Sequence, residues 1–434
     1  MSTSKLTRRQ AVKTTLGLIA APMIVDAATL GLAQDVVSAN NRITLGFIGT
    51  GKMGTSSHVA NLPRFEDIHT LAVCDVDTNR VTNAKRRVDA YEQRKNPAYG
   101  GCDMTDDFRE IIERDDIDAV CIATPEHWHT IPLVTACIAG KDVYCEKPLT
   151  LTICESQLCV EAARKYGSVV QTGSQQRSSV FGPFRQGCEI VRSGRLGQIE
   201  KVTVGVGSPG IPCDLPEEEM EPGLDWDMWL GQAPMRPYNS TLSPRGVHTH
   251  FPAWRMYREY AGGGLADMGA HHFDIAQWAL GMDGSGPVEV HPPEDDEATT
   301  GAKVVYENGI EMIHGGPSGC TFFGTDGTMR LDRGLLSSDP EEIVSEPIGE
   351  DDVHLYNSPN HHRNWVDCIK SREKPVADVD IGARSVVICH LMNLAYWKRK
   401  SYRYDPSQWC FDNDEDNKEL DRERRDPWQL PELE

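Results

Sequence analysis

The chain has 434 residues, too many for one hydrophobic core, which predicts two domains of ordinary size. With 39 % hydrophobic and 25 % charged residues it reads as globular. A net charge of -21 with no basic stripe excludes nucleic acid as a partner, because phosphate binding needs clustered Lys and Arg.

Residues 1–33 read as a targeting segment. TRRQAVK, TTLGLIAAPMIV and GLA before Gln34 follow the order of a basic region, an apolar region and a small-residue cleavage site. Adjacent Arg8 and Arg9 make it a twin-arginine-type signal and predict a periplasmic protein, or a cytoplasmic one if the signal is not used. The apolar stretch of 12 residues is too short to span a bilayer and no later segment approaches that length, so no membrane insertion is expected. The 13 cysteines form no CxxC pair, and Cys74, Cys121 and Cys145 lie inside apolar runs, so they read as small buried hydrophobes.

From residue 42 the pattern is regular. Apolar runs at 42–49, 69–77, 117–125, 141–148 and 167–173 alternate with helical periodicity, for example at 106–116 and 156–167. Continuous apolar strands separated by amphipathic helices predict an α/β fold, a Rossmann-type doubly wound parallel sheet over 42–172. Its first turn is Gly49-Thr50-Gly51-Lys52-Met53-Gly54, a GxGxxG that follows a strand and opens a helix. Two glycines allow the turn and close approach of a pyrophosphate, and the third allows helix and strand to pack. Asp75 ends the second strand, where a carboxylate accepts ribose hydroxyls and repels a 2′-phosphate. NAD is therefore the expected cofactor, and nearby Arg80 keeps NADP open.

Lys147 follows Glu146 at the end of the fourth strand, and TPEHWH (124–129) ends the strand before it. Both lie at the carboxyl edge, where open parallel sheets bind ligands. Further on, GGGLADMGAHHFDIAQWALG (262–281) predicts a helix closed by Gly281. Asp267, His271 and Asp274 fall at i, i+4 and i+7 on one face, facing either a ligand or a polar interface between domains. His248, His250 and His272 supply no third strong ligand at a telling spacing, so no metal is expected. Between these motifs, Trp226, Trp229, Tyr238, His248, His250, Trp254 and Tyr257 form an aromatic strip that fits either a sugar ring or a domain interface.

GTGKMG, ATPEHWH, AGKDVYCEKPLT and GGGLADMGAHHFD, in this order, resemble the Gfo/Idh/MocA oxidoreductases, and LDWDMWLGQAPMRPYN and RRDPWQL resemble an exported branch of them. The resemblance implies a second, α+β domain with a predominantly antiparallel open sheet. We place it at 173–390, with a tail at 391–434, and expect a homo-oligomer, dimer or tetramer. It implies that Lys147 reaches nicotinamide and substrate, and that the bond before Pro148 is cis. Asp267 and His271 match the acid and histidine of its DxGxH element, Asp274 a substrate-contacting position, and His129 the histidine of TPxxxH. Thr124, Pro125, His129 and Glu146 then join the glycine turn, Asp75 and Lys147 at the cofactor, and Trp128 and His129 face the substrate.

The chemistry implied is oxidation of a secondary hydroxyl of a sugar, polyol or sugar derivative. His271 would act as general base, Asp267 would orient it, and Lys147 would stabilise the developing alkoxide. Export would require the cofactor to be loaded first and regenerated in place. Two further readings stand beside the dehydrogenase: an NAD-dependent redox-neutral glycosidase working by transient oxidation and elimination, and a non-catalytic sugar or nucleotide sensor.

Overall fold

The computed structural model describes residues 41–179 and 181–433. The signal-type segment at 1–33 lies outside the described residues. Strands β1 (Ile43–Ile48), β2 (Ile68–Cys74), β3 (Asp103–Thr105), β4 (Ala119–Ile122), β5 (Asp142–Cys145) and β6 (Val170–Thr172) form the first sheet. All its neighbours pair in parallel, in the order β3-β2-β1-β4-β5-β6. Strands β4 and β5 are buried at every position, as expected of central strands covered by helices on both faces. The order reverses between β1 and β4, and the crevice outside that reversal is where such a sheet takes its ligand. Strand β3 was not expected from the sequence: three mostly exposed residues, DMT, carry no apolar run.

The second sheet contains β7 (Ile199–Gly205), β8 (Glu289–His291), β9 (Lys303–Val305), β10 (Glu311–Gly324), β11 (Gly327–Asp332), β12 (Leu335–Asp339), β13 (Tyr402–Asp405) and β14 (Cys410–Phe411). Every pairing in it is antiparallel. The order is β12-β11-β10-β9-β8-β13-β14, with β7 also on β10. The helix Gly263–Leu280, ended by left-handed Gly281, packs on β7 and β10 and on the helix Val379–Lys398. The latter also packs on the helix Ile153–Tyr166 of the first domain. One apolar cluster therefore runs through both domains, from Ile122 and Cys145 to Phe273 and Leu391.

The expected boundary at 390 falls inside the helix Val379–Lys398, because its buried face continues through Leu391, Met392 and Ala395. The residues beyond it belong to the fold. Arg424 reaches Glu155 at 2.8 Å, Arg425 reaches Asp227 at 2.6 Å, and Trp428 lies edge-on to Trp128. Among the described residues no helix is long and apolar enough to cross a membrane.

Candidate active site

A cavity of about 470 Å³ opens at the carboxyl edge of the first sheet and is roofed by the second domain. All the sequence-predicted site residues line it except Gly54 and Asp274.

At one part of the wall is the glycine turn. Gly49 has φ +85°, and a Cβ there would lie 2.6 Å from the backbone nitrogen of Thr124, so no other residue fits. A Cβ on Gly54 would lie 2.2 Å from the carbonyl oxygen of Gly49, which is why helix and strand can meet so closely. Gly51 has open space around its Cβ position, the room a pyrophosphate needs for a close backbone approach. Asp75, 8 % exposed, accepts hydrogen bonds from the backbone and hydroxyl of Thr50 and from the backbone of Asp77. Its carboxylate is thus fixed beside the turn with lone pairs to spare for ribose hydroxyls. Arg80, the residue that kept NADP open, donates instead to Ser243 Oγ and the carbonyls of Pro244 and Gly246. The residues present fit NAD.

Farther along, Lys147 Nζ donates to both Oδ1 and the backbone carbonyl of Asp267, each at 2.7 Å. The Lys147–Pro148 bond is cis. Burial pushes the Asp267 carboxyl up, but Lys147 and Arg255 outweigh it and hold the group below its ordinary value. His271 is 4 % exposed, and its Nδ1 has no hydrogen-bond partner among the described residues. Burial, then Lys147 and Arg333, drive its imidazole well below the ordinary value, so it is neutral at pH 7.

The oxidoreductase-family model for an NAD-binding Rossmann fold matches residues 43–174, and the model for the family's C-terminal alpha/beta domain matches 189–430. The chain belongs to the Gfo/Idh/MocA oxidoreductases. The myo-inositol 2-dehydrogenase of Thermotoga maritima is 21 % identical over 83 % of this chain and 98 % of its own length. The alpha-N-acetylgalactosaminidase of Shewanella oneidensis is 31 % identical, over 35 % of this chain and only 34 % of its own length. Among solved structures, the WlbA dehydrogenase of Bordetella pertussis, crystallised with NADH and UDP-GlcNAcA, superposes with a TM-score of 0.57 at 18 % identity. That match covers 83 % of this chain and 98 % of WlbA, and at such identity it speaks to the fold alone.

In this Gfo/Idh/MocA chain several expected roles change. Asp267 does not hydrogen-bond His271: helical spacing made them neighbours, but the Lys147 ammonium captures the carboxylate. Asp274 is fully buried, with both carboxylate oxygens on Arg177 at 2.8 and 3.0 Å and one on Ser385 Oγ. It is not among the residues that line the cavity. His129 has Nδ1 2.7 Å from the Pro148 carbonyl and Nε2 2.9 Å from the Thr124 carbonyl, so it ties two loops together and has no nitrogen free for substrate. Trp128 likewise spends its Nε1 on the Trp229 carbonyl. Glu146 turns beneath the cavity to His58 and Gln175; burial raises its carboxyl, His58 outweighs that, and the net shift is downward. The aromatic strip divides between a packed core and the cavity wall. Trp226, Trp229, Tyr238 and Trp254 belong to a small core of their own, whose edge, through Trp229 and Trp254, lines the cavity.

The cavity residues missed include three that bear on its electrostatics. Glu126, 1 % exposed, accepts from the Gly262 backbone through Oε2, while Oε1 has no partner among the described residues. Burial, then Asp267, raises its carboxyl to about 8. It stands inside TPEHWH and could have been found there. Arg255 lies 3.6 Å from Asp267 and over the ring of Trp254. Arg333 follows β11 in a turn, where no periodicity announces it.

Proposed function

We propose that this oxidoreductase oxidises a secondary hydroxyl of a sugar or polyol, with NAD as the acceptor. When bound, NAD supplies the carbon that receives the hydride. The observation that carries the reading is the convergence of Lys147, Asp267 and a neutral His271 on one stretch of cavity wall. As hydride leaves carbon, the hydroxyl must lose its proton; His271 accepts it, and the Lys147 ammonium stabilises the negative charge developing on oxygen. Asp267 positions that ammonium through two acceptors. Trp229 and Trp254 add aromatic surface to the wall of the same cavity. The similarity to myo-inositol 2-dehydrogenase supports the substrate class. The test is incubation of NAD-loaded protein with a panel of aldoses, sugar acids and cyclitols; oxidised product and NADH should form in equal amounts. No product from any of them would sink the reading.

The match to the alpha-N-acetylgalactosaminidase supports a second reading, redox-neutral glycoside cleavage. There, transient oxidation acidifies the neighbouring C–H, elimination expels the leaving group, and the hydride returns. It predicts cleavage of a nitrophenyl glycoside without net NADH, and deuterium uptake from solvent at the neighbouring carbon; absence of both refutes it. A sensor would give neither chemistry while still binding ligand. The reading further has the protein exported by its twin-arginine segment with NAD already bound, and assembled as a dimer or tetramer. Cell fractionation and light scattering check these two points.

A further inference from the structure

Arg333 is held at one edge and open at the other. Its Nε donates to Gln176 Oε1 at 2.9 Å, and its guanidinium carbon sits 4.7 Å from the ring centroid of Phe181. Gln176 is buried, and its own Nε2 reaches the backbone carbonyl of His271 at 3.4 Å, which couples the guanidinium to the turn of helix carrying the base. Among the described residues, neither terminal nitrogen of Arg333 has a hydrogen-bond partner, nor does the side chain form an ion pair. The nearby carboxylates are engaged elsewhere. Asp332 takes the Ser318 hydroxyl and the backbone N–H of Arg333 itself, and Asp267 takes Lys147. A solvent-facing arginine is ordinarily mobile; this one is stacked on Phe181, bonded through Nε to Gln176, and lines the cavity with its two terminal nitrogens uncommitted. Lys147 and Arg255 add two more cations to the same wall, in a chain whose net charge is -21. The cofactor does not account for this fork, since its pyrophosphate belongs at Gly49–Gly51, whereas Arg333 lies against His271, Gln176 and Phe181.

We infer that the substrate carries an anionic group with two adjacent oxygens, a carboxylate or a phosphate, and that the Arg333 guanidinium receives it beside His271. This deepens the sugar-oxidation reading and rests on it: the substrate is a sugar acid or a sugar phosphate. A bidentate guanidinium contact is charge-assisted and specific for that geometry, so the preference for the anion is large and falls with salt.

The test uses the full chain loaded with NAD and isothermal titration with D-glucuronate, D-galacturonate and D-glucose 6-phosphate, each against its neutral parent sugar. In the wild type at least one anionic probe should bind about 10-fold more tightly than its parent, the scale of one charge-assisted contact. Arg333→Gln should abolish that preference while leaving the neutral sugar within about twofold, and Arg333→Lys, which keeps the charge but loses the fork, should restore only part of it. Tighter binding of the uronates assigns a carboxylate, and of glucose 6-phosphate a phosphate. The inference is overturned if neutral and anionic probes bind alike, if Arg333→Gln weakens both equally, or if no anionic probe binds at about 10 mM. NADH formation from a neutral sugar alone would leave the oxidation reading standing and remove this one. Arg333-dependent binding of an anion with no NADH from any probe would keep the anion contact and remove the oxidation reading, and with it the identity of that anion as the oxidised substrate.

Discussion

Replacing Lys147 by Met removes the ammonium and keeps the length of the stem. In the intact protein Nζ is fixed by two acceptors on Asp267, each at 2.7 Å, so its charge is aimed before substrate arrives. A preorganised donor of this kind contributes on the order of 100- to 1,000-fold to turnover, about 3–4 kcal/mol of barrier. The lysine side chain is 13 % exposed, so solvent screens little of that contribution. Asp267 is not stranded by the change, because Arg255 stays 3.6 Å from the same oxygen. The stability loss should therefore be about 1–2 kcal/mol, less than the cost of a fully orphaned buried charge. His271 gives an independent readout. It must be neutral to accept a proton, so kcat/KM rises with pH through its pKa. Burial and then Lys147 hold that pKa well below the ordinary value; without Lys147 it climbs back and the acid limb moves to higher pH. Stopped-flow NADH formation across pH, with NAD affinity from fluorescence titration, measures all three quantities. The expected result is a turnover loss of about 100-fold or more, NAD affinity within about threefold, and the shifted limb. Turnover near that of the wild type, or a parallel loss of NAD affinity, would refute the role given to Lys147.

Three other perturbations separate structural from functional roles. Asp274→Asn leaves Arg177, whose side chain is 1 % exposed, with Asp283 alone, and should cost about 3 kcal/mol in urea unfolding with KM unchanged; a raised KM at full stability would return Asp274 to the substrate site. Glu126 has its carboxyl raised from 4.5 to about 8, so between those values the folded protein keeps a proton the unfolded chain has lost, and this group lowers stability as pH rises through the window. Glu126→Gln removes that dependence, and its stability should gain on the wild type by up to about 1.4 kcal/mol per pH unit across the window; parallel curves would exclude the shift. Arg424→Met strands Glu155, whose side chain is fully buried, and should lower stability by about 3 kcal/mol in thermal or denaturant unfolding. An unchanged midpoint would mean that the C-terminal segment is only draped on the first domain.

What could be read from the sequence was whatever a single local stretch determines. The glycine turn is such a case, since Gly49 and Gly54 are demanded by backbone within a few residues or one strand away. So is the pairing of an apolar run with Lys147 at its end. Periodicity went further and then misled: it correctly put Asp267, His271 and Asp274 on one helix face, but seven residues of helix advance about 10 Å. Over that distance the same face passes from the cavity wall at Asp267 to the buried Arg177 cluster at Asp274. Adjacency also did not decide partnership, because Asp267 had a stronger offer from Lys147, 120 residues earlier, than from His271 one turn away. The C-terminal segment was read as a tail for the same reason. Its charges look solvated in sequence, and only the fold brings Arg424 to Glu155, 269 residues away. Arg333 is the extreme case: a turn arginine without pattern, whose meaning comes entirely from Gln176, Phe181 and His271 meeting it from other elements. The recognisable motifs thus bear on nicotinamide binding and, on the reading proposed above, on proton transfer, chemistry that many substrates share. The residues that would choose among substrates sit where turns and distant segments converge, so on this fold specificity has to be sought from the cavity outward.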